Sequence, residues 1–525
     1  MAEAYDYVIV GAGAAGCAVA ARLSEDPARS VLLLEAGGRD RSPNIKIPAA
    51  FAKQFRTKLD WDFRSGPEPH LNGRELYVPR GRSLGGSTSM HAMMYTRGRP
   101  LDYDGWSEAG CPGWSWAEVE PYFRRLEDYR APGGEGHGHD GPLTVSGARD
   151  PRPLTGRFLE AGQAAGIPAN PDINSPDQDG LSMTPVMQRN GRRWSSADAY
   201  LRPARKRPNL SVKTGAQVLG IGLERGRAAG VRWRDGRGRE GMARAGREVV
   251  LCAGAIGSPQ LLMLSGIGPA EHLRSQGIEP MVDAPDVGEN LQDHPFLTLC
   301  WETSVDDDLA DAEKPLALLR FLLRRKGPLT SNVGEALAFI RTRPGLPAAD
   351  VELIFAPAYY HDHGFDEFDG HAFTLGPVLI APRSRGRLRL RSADPLAKPQ
   401  LVGNHLAEPE DLAAIVAGVH KSREIAHTEP LAAVRGRELV PGESVASDAD
   451  VEDFVRRELE LLYHPAGTCR MGSDANAVVD PELRVRGVDG LRVADASVMP
   501  TIVGGHPTSA IVMIAERGAD LIRAA

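Results

Sequence analysis

Apolar and polar positions along the chain fall into a few legible patterns. Tyr5–Val10 (YDYVIV) is a short run rich in β-branched and aromatic residues, which predicts a parallel strand buried on both faces. It runs directly into Gly11-Ala-Gly13-Ala-Ala-Gly16 and then CAVAARLSED, whose composition predicts a helix. SVLLLEAG predicts a second strand ending at Glu35. Far downstream, REVVLCAG predicts another strand, and GAIGSPQLLMLSGIG (254–268) a second strand-to-helix junction with a close backbone approach at Gly254. GRLRLRS (386–392) alternates instead, the pattern of antiparallel rather than βαβ structure. PGGEGHGHDGP (132–142) and NPDINSPDQDG (170–180) are turn-rich joints. No internal repeat or long low-complexity tract interrupts these elements.

The order strand, glycine turn, helix, strand, acid is a nucleotide-binding pattern. Gly11 permits the tight turn, Gly13 lets backbone approach a pyrophosphate, and Gly16 allows helix and strand to pack closely. The helix N-terminus supplies amide donors and a positive dipole end for phosphate. Glu35, about 20 residues on, can accept from ribose hydroxyls and repels a 2′-phosphate, which disfavours NADP and leaves FAD and NAD open.

Composition narrows the remaining classes. With 525 residues the chain predicts two or more cooperating domains. Against 62 Lys+Arg stand 69 Asp+Glu, a net charge of −7 that offers no footprint for nucleic acid and no net attraction to an anionic membrane. Five widely spaced cysteines without a C-x-x-C pair argue against a disulfide framework or zinc ribbon and predict a cytoplasmic protein. The uncharged run 7–21 follows acidic residues, is broken by glycines and is too short to span a bilayer, so neither a targeting signal nor an integral membrane segment is expected.

A third cluster, PRGRSLGGSTSMHAMMYTRG (79–98), can line a phosphate or the polar edge of a ring through amides freed at Gly85-Gly86, and SMHAMMY is too apolar for a solvated loop. Near the C-terminus LLYHPAGTCRMG (461–472) sets His464 beside Cys469. A metal site would need a second ligand pair that is missing; a structural histidine and a catalytic base both fit these residues.

Taken together, the GAGAAG turn ending in LLLEAG, the clusters at 79–98 and 254–268, NLQDHP (290–295) and RVRGVDGLRVADASVMP (484–500) resemble the glucose-methanol-choline (GMC) oxidoreductases nearly end to end, in pattern most like the choline dehydrogenase and bacterial alcohol dehydrogenase branch. The resemblance implies a discontinuous, Rossmann-like α/β domain for FAD (1–155, 205–305 and 464–525) and an α+β substrate domain with an antiparallel sheet (156–204 and 306–463). It implies FAD contacts at Gly11, Gly13, Gly16, Glu35 and Ala36, at Gly81, Gly85, Gly86, Ser87, His91 and Met93, at Val218, Ala253 and Gly254, and at Asp495, Ala496, Pro507 and Thr508. Met90 stands where some members bind FAD covalently through histidine, so noncovalent FAD is expected; His91 can reach the isoalloxazine edge or simply pack.

The same resemblance makes His464 the active-site base and His506, in GGHPTS, its partner, with the two roles exchangeable; Cys469 becomes a bystander. An imidazole, ordinarily titrating near 6.5, can take a hydroxyl proton at cellular pH while the carbinol hydride leaves. Glu335 matches a glutamate that faces the substrate cation in choline-specific members, and Phe355 and Tyr463 are further substrate candidates; Ala381 replaces a histidine of choline oxidases. AYYHDHG (358–364) reads as a loop, and no metal site is expected.

The function implied is oxidation of a primary alcohol, with O2 or a quinone or other carrier as electron acceptor, by a monomer or homodimer. No amphipathic basic helix is expected to support membrane contact. A flavoprotein lyase or light-driven fatty-acid decarboxylase on the same fold is the alternative, and the His464/His506 pair favours redox chemistry over it.

Overall fold

A computed structural model describes residues 3–525. Its first sheet has seven strands, running Leu210–Thr214, Val31–Glu35, Glu3–Val10, Glu240–Leu251, Arg227–Asp235 and Ala216–Glu224, with Leu491–Val493 also beside Glu240–Leu251. The strands at its centre pair in parallel, Val8 standing beside Leu32 on one side and Val249 on the other. Arg227–Asp235 joins its two neighbours antiparallel. Val8, Ile9, Val31 and Leu33 are fully buried, which accounts for their unbroken apolar run: both faces of these strands are covered.

Two helices close this layer. Ala14–Leu23 is built of small residues buried almost all round, and it packs against Thr508–Ala524. Glu516 on the second helix is fully buried, yet it accepts from Arg22 Nε at 2.8 Å and Tyr200 Oη at 2.7 Å and pairs with Arg125 at 2.7 Å. Such pairing is what allows a buried charge to persist.

The second sheet has eight strands and is antiparallel: Arg435–Val440, Leu299–Thr303, Ala372–Leu379, Val351–Ala356, Ala336–Ile340 and Gly180–Met183, with Pro295–Phe296 and Glu460–Leu461 attached beside Ala372–Leu379. The expected boundary at residue 305 therefore needs correcting, because Pro295–Phe296 and Leu299–Thr303 pair into this sheet rather than the first. Side chains alternate between its faces. Phe355 and Phe373 turn to one side, where Phe158 stacks on Phe355 at 4.6 Å between ring centroids and Trp301 on Phe373 at 5.5 Å. Residues of the opposite parity, Ile354, Ala356, Thr374 and Gly376, turn toward a cavity between the two sheets.

GRLRLRS is not part of either sheet; Arg387–Arg389 pairs antiparallel with Gln400–Val402 in a separate two-stranded ribbon. No helix among the described residues is long and apolar enough to cross a membrane. The expectation that no basic amphipathic helix is present is overturned at Pro315–Arg324 (PLALLRFLLR), which leaves five leucines exposed next to arginines.

Candidate active site

The glycine turn closes against the neighbouring strand end with no room for side chains. Gly11 has φ +97°, and a Cβ there would lie 2.5 Å from the Cys252 carbonyl oxygen; one at Gly16 would overlap the Gly11 carbonyl. Gly13 differs, since a Cβ there meets nothing within 4 Å. The turn is thus tight where it packs and open where it faces the cavity. Glu35, at the end of its strand, accepts from Ala12 N at 2.8 Å and Gly37 N at 2.7 Å, and burial raises its pKa against those two bonds.

The loop 81–91 lies directly on this turn. Gly85, in the left-handed region at φ +89°, donates its N–H to Ala12 O at 2.8 Å, and a Cβ on Gly86 would come within 2.7 Å of Gly13 Cα. Across the sheet, Asp495 caps the entry to helix Gly254–Leu264, accepting from Gly254 N at 2.8 Å and Ser258 Oγ at 2.6 Å. Burial raises the Asp495 pKa despite these donors. The resulting cavity runs from Val218, past Gly13, Glu35 and Asp495, to His91, Met93 and the start of helix Thr508–Ala524.

This shape fits a dinucleotide. Bare backbone at Gly11, Gly13, Gly81 and Gly86, flanked by the N-termini of helices, suits a pyrophosphate. His91 Nδ1 accepts from Met93 N at 2.9 Å, which assigns its proton to Nε2, and Nε2 finds no partner in the protein. An unpartnered donor on a cavity-lining residue suits the polar edge of a flavin. Burial and the neighbouring Arg193 hold the His91 pKa well below the ordinary imidazole range.

At the far end, NLQDHP runs antiparallel beside YHPAG. Ala466 N donates to Gln292 O at 2.9 Å, Leu462 N to His294 O at 2.9 Å, and His464 N to Asp293 Oδ1 at 2.6 Å. That pairing sets the Nδ1 atoms of His464 and His294 3.0 Å apart, so one of the two carries the shared proton. Tyr463, just before, sits in the left-handed region at φ +64° and bonds His363 Nδ1 at 2.5 Å. His506 faces His464 with ring centroids 5.2 Å apart at 87°. Its backbone N donates to Thr96 Oγ1 at 2.7 Å, and its Nε2 lies 2.9 Å from Glu352 Oε1.

Burial, then the charges of His294, His506 and Arg80, push the His464 pKa well below the usual value. His294 falls to about 3, chiefly by burial. Asp293 rises to about 7, burial outweighing the amide of His464 and the charge of Arg80. His464 is therefore a neutral imidazole whose Nε2 is not engaged by any protein group among the described residues. Such a group can accept a proton from a bound hydroxyl.

The family description of GMC oxidoreductases matches residues 5–296 with its N-terminal part and 382–515 with its C-terminal part. The chain belongs to the GMC oxidoreductase family. Membership makes it an FAD oxidoreductase acting on CH–OH donors. An uncharacterized GMC-type oxidoreductase of Mycobacterium tuberculosis is 50% identical, with 99% of both chains covered. The alcohol dehydrogenase (acceptor) of Pseudomonas putida is 41% identical, covering 99% of this chain and 95% of that one. A variant of Aspergillus oryzae formate oxidase, studied for its FAD modification, superposes with a TM-score of 0.94 at 28% identity, covering 99% and 98% of the two chains.

Of the contacts expected for FAD in this GMC oxidoreductase, Gly11, Gly13, Glu35, Ala36, Gly81, Gly86, Ser87, His91, Met93, Val218, Ala253, Gly254, Asp495, Ala496, Pro507 and Thr508 line the one cavity, together with His464, His506 and Tyr463. Gly16 and Gly85 lie behind it as packing positions. Two substrate candidates need correction. Phe355 has the wrong strand parity and stacks in the core behind the sheet. Glu335 accepts from Ser331 Oγ at 2.6 Å, Thr155 Oγ1 at 2.7 Å and Arg152 N at 2.8 Å, tying its own loop to the segment 152–155 away from the cavity.

Sequence reasoning missed Glu352, His294 and Asp293. An acid in the apolar strand VELIFA was the available signal for Glu352, since a charge at a buried strand position needs a partner. Asp293 and His294 stood in NLQDHP without an assigned role. Asp362, His363 and Glu460 offer ligand atoms within 4.8 Å of one another, but Arg56 and Arg74 border the same cleft and disfavour a cation.

Proposed function

We propose that this enzyme oxidises a neutral, largely apolar primary alcohol to the aldehyde, with His464 as base. The observation that carries this reading is the unclaimed Nε2 of His464 facing His506 in an apolar chamber. Phe51, Phe55, Met94, Phe296, Ile354 and Tyr360 wall that chamber, with Asn332 and Thr374 as uncharged polar points. The charged Asp, Glu, Lys and Arg side chains on the cavity wall are Glu35 and Asp495 on the nucleotide turns, Lys398, and Arg80, which acts on His464. Among the described residues no carboxylate lines the cavity at the histidine end, Glu352 and Asp293 lying behind the rings against His506 Nε2 and His464 N. Arg80 repels a cation there, so a quaternary ammonium alcohol is a poor fit.

FAD bound along the glycine cradle, noncovalently because Met90 rather than a histidine faces that wall, would supply the hydride acceptor. The protein does the rest. With the shared proton on His464 Nδ1, its Nε2 lone pair is left for the hydroxyl proton. His506 Nε2 donates to Glu352, which fixes the ring against the chamber opposite His464. The apolar walls exclude water and orient the carbinol carbon. Five buried free cysteines suit a reducing, cytoplasmic setting.

Turnover of neutral aliphatic and benzylic alcohols, beside choline, with peroxide measured under air and a soluble quinone tested without it, decides both substrate class and acceptor. Neutral alcohols are expected to turn over and choline not to. A preference for choline would overturn the substrate assignment.

A further inference from the structure

The helix Pro315–Arg324 reverses the usual amphipathic arrangement. Ala317 and Phe321 are its buried residues, whereas Leu316 and Leu323 are each 74% exposed, Leu322 55%, Leu319 52% and Leu318 42%. At 100° per residue these five leucines fill one continuous arc of the helix opposite Phe321, with Arg320 and Arg324 along one border. They account for five of the nine large hydrophobic side chains exposed anywhere in the described chain, so the patch is a local concentration rather than ordinary surface scatter.

Charge selects what covers it. Lys314, Arg324 and Lys326 make no ion pair among the described residues, and Arg325 lies over the Phe321 ring rather than against an acid. Of the acids preceding the helix, three are engaged, Asp308 with His371 at 2.9 Å, Glu313 with Lys53 at 2.6 Å and Asp311 with Arg152 at 3.9 Å, while Asp306 and Asp307, further from the leucines in sequence, make no ion pair among the described residues. Of the border cations Arg320 pairs with Asp150 at 3.3 Å, but a leucine ridge flanked by the unpaired Lys314, Arg324 and Lys326 is complementary to an anionic apolar interface. A second copy meeting the same ridge would bring its own cations against these. The whole chain carries −7, so an anionic surface would repel the remainder of the molecule and contact is confined to this face.

The position also matters. The helix leads into the turn Pro328–Thr330, which packs on the turn Pro48–Gln54, and both run into the cavity wall at Val333 and Phe51.

We propose that Pro315–Arg324 docks this enzyme reversibly on an anionic lipid surface, its leucines entering the interface and its cations meeting the headgroups, with the cavity mouth close to the bilayer. An apolar alcohol or a lipid-soluble electron acceptor would then reach the cavity from the membrane. The docking stands on the helix alone and holds whatever the substrate proves to be.

Flotation of the FAD-loaded enzyme with vesicles of phosphatidylcholine alone, and of phosphatidylcholine mixed with phosphatidylglycerol, tests it. Binding is expected to the mixed vesicles, to weaken with salt, to fall by about fivefold for each of R324Q and K326Q, and to vanish in L319E/L323E. That double variant should keep its flavin and its rate on a water-soluble alcohol, since neither leucine touches the cavity. Failure of the wild type to float with anionic vesicles overturns the proposal. So does a stable wild-type dimer that L319E/L323E splits, which would make a second copy the occupant.

Discussion

Glu352 holds His506: Oε1 lies 2.9 Å from the ring Nε2, and the other carboxylate oxygen, Oε2, is buried without a hydrogen bond. The strand that carries Glu352 also presents Ile354 and Ala356 to the cavity, so one edge of the substrate wall and the orientation of the histidine are set by the same element.

Replacing Glu352 by Gln keeps the shape but removes the charged acceptor that orients His506. Flavin reduction by alcohol should slow, by less than the ~10²–10⁴-fold typical of a lost general base. E352Q with an unchanged rate would leave the carboxylate as packing only.

Gly13 and Gly16 predict opposite phenotypes from the same substitution. Gly16→Ala forces a methyl into the Gly11 carbonyl and should give poorly folded protein. Gly13→Ala meets nothing in the protein, so the fold should survive while the methyl occupies the space a pyrophosphate needs. Far-UV circular dichroism and the ratio of bound FAD to protein separate the two outcomes.

Acid should destabilise the fold through its buried imidazoles. His91 and His464 are held well below the ordinary range, His294 and His363 at about 3 and His405 at about 4, burial being the first cause in each. These five rings bind fewer protons in the folded state than in the unfolded chain, whereas the carboxyls of Asp293 and Glu460, raised by burial to about 7 and about 8, bind more and offset part of the effect. The rings' contribution is complete above about pH 6.5 and is lost as pH falls below it, by roughly 1.4 kcal/mol per group and pH unit until the folded pKa is reached. His137, raised by Asp172 and Glu127 against its burial, works in the opposite sense. Melting temperature is expected to fall steeply between pH 6.5 and 5; a flat profile there would show that these rings do not remain buried and neutral.

Denaturation should release free FAD. Met90 cannot form a histidyl link, and His91 Nδ1 is occupied by Met93 N–H. Flavin remaining with the protein after acid precipitation would point to attachment at His91.

The nucleotide half of the site was legible because its signals are local. A glycine that must be bare, a strand end and an acid 20 residues on are contiguous in the chain, and Gly11, Gly13 and Glu35 fall where that grammar puts them. The substrate half was much less so. Phe355 failed on strand parity, which a one-residue change in register decides and composition does not. Glu335 failed because a buried acid looks alike whether it faces a substrate or ties segments together through Ser331 and Thr155. Glu352 and His506 lie 154 positions apart and meet only through packing of the second sheet on the C-terminal turn. The leucine helix was visible as PLALLRFLLRRK, but its periodicity alone does not tell which face the fold covers.

Alcohol oxidation with His464 as base is tested most directly by anaerobic mixing with neutral primary alcohols while following the oxidised-flavin absorbance, in wild type and His464→Ala. The wild type should bleach, and H464A, with flavin still bound, should bleach about 10²–10⁴-fold more slowly. An unbleached wild type with every alcohol, or an H464A that bleaches at the wild-type rate, would contradict the account.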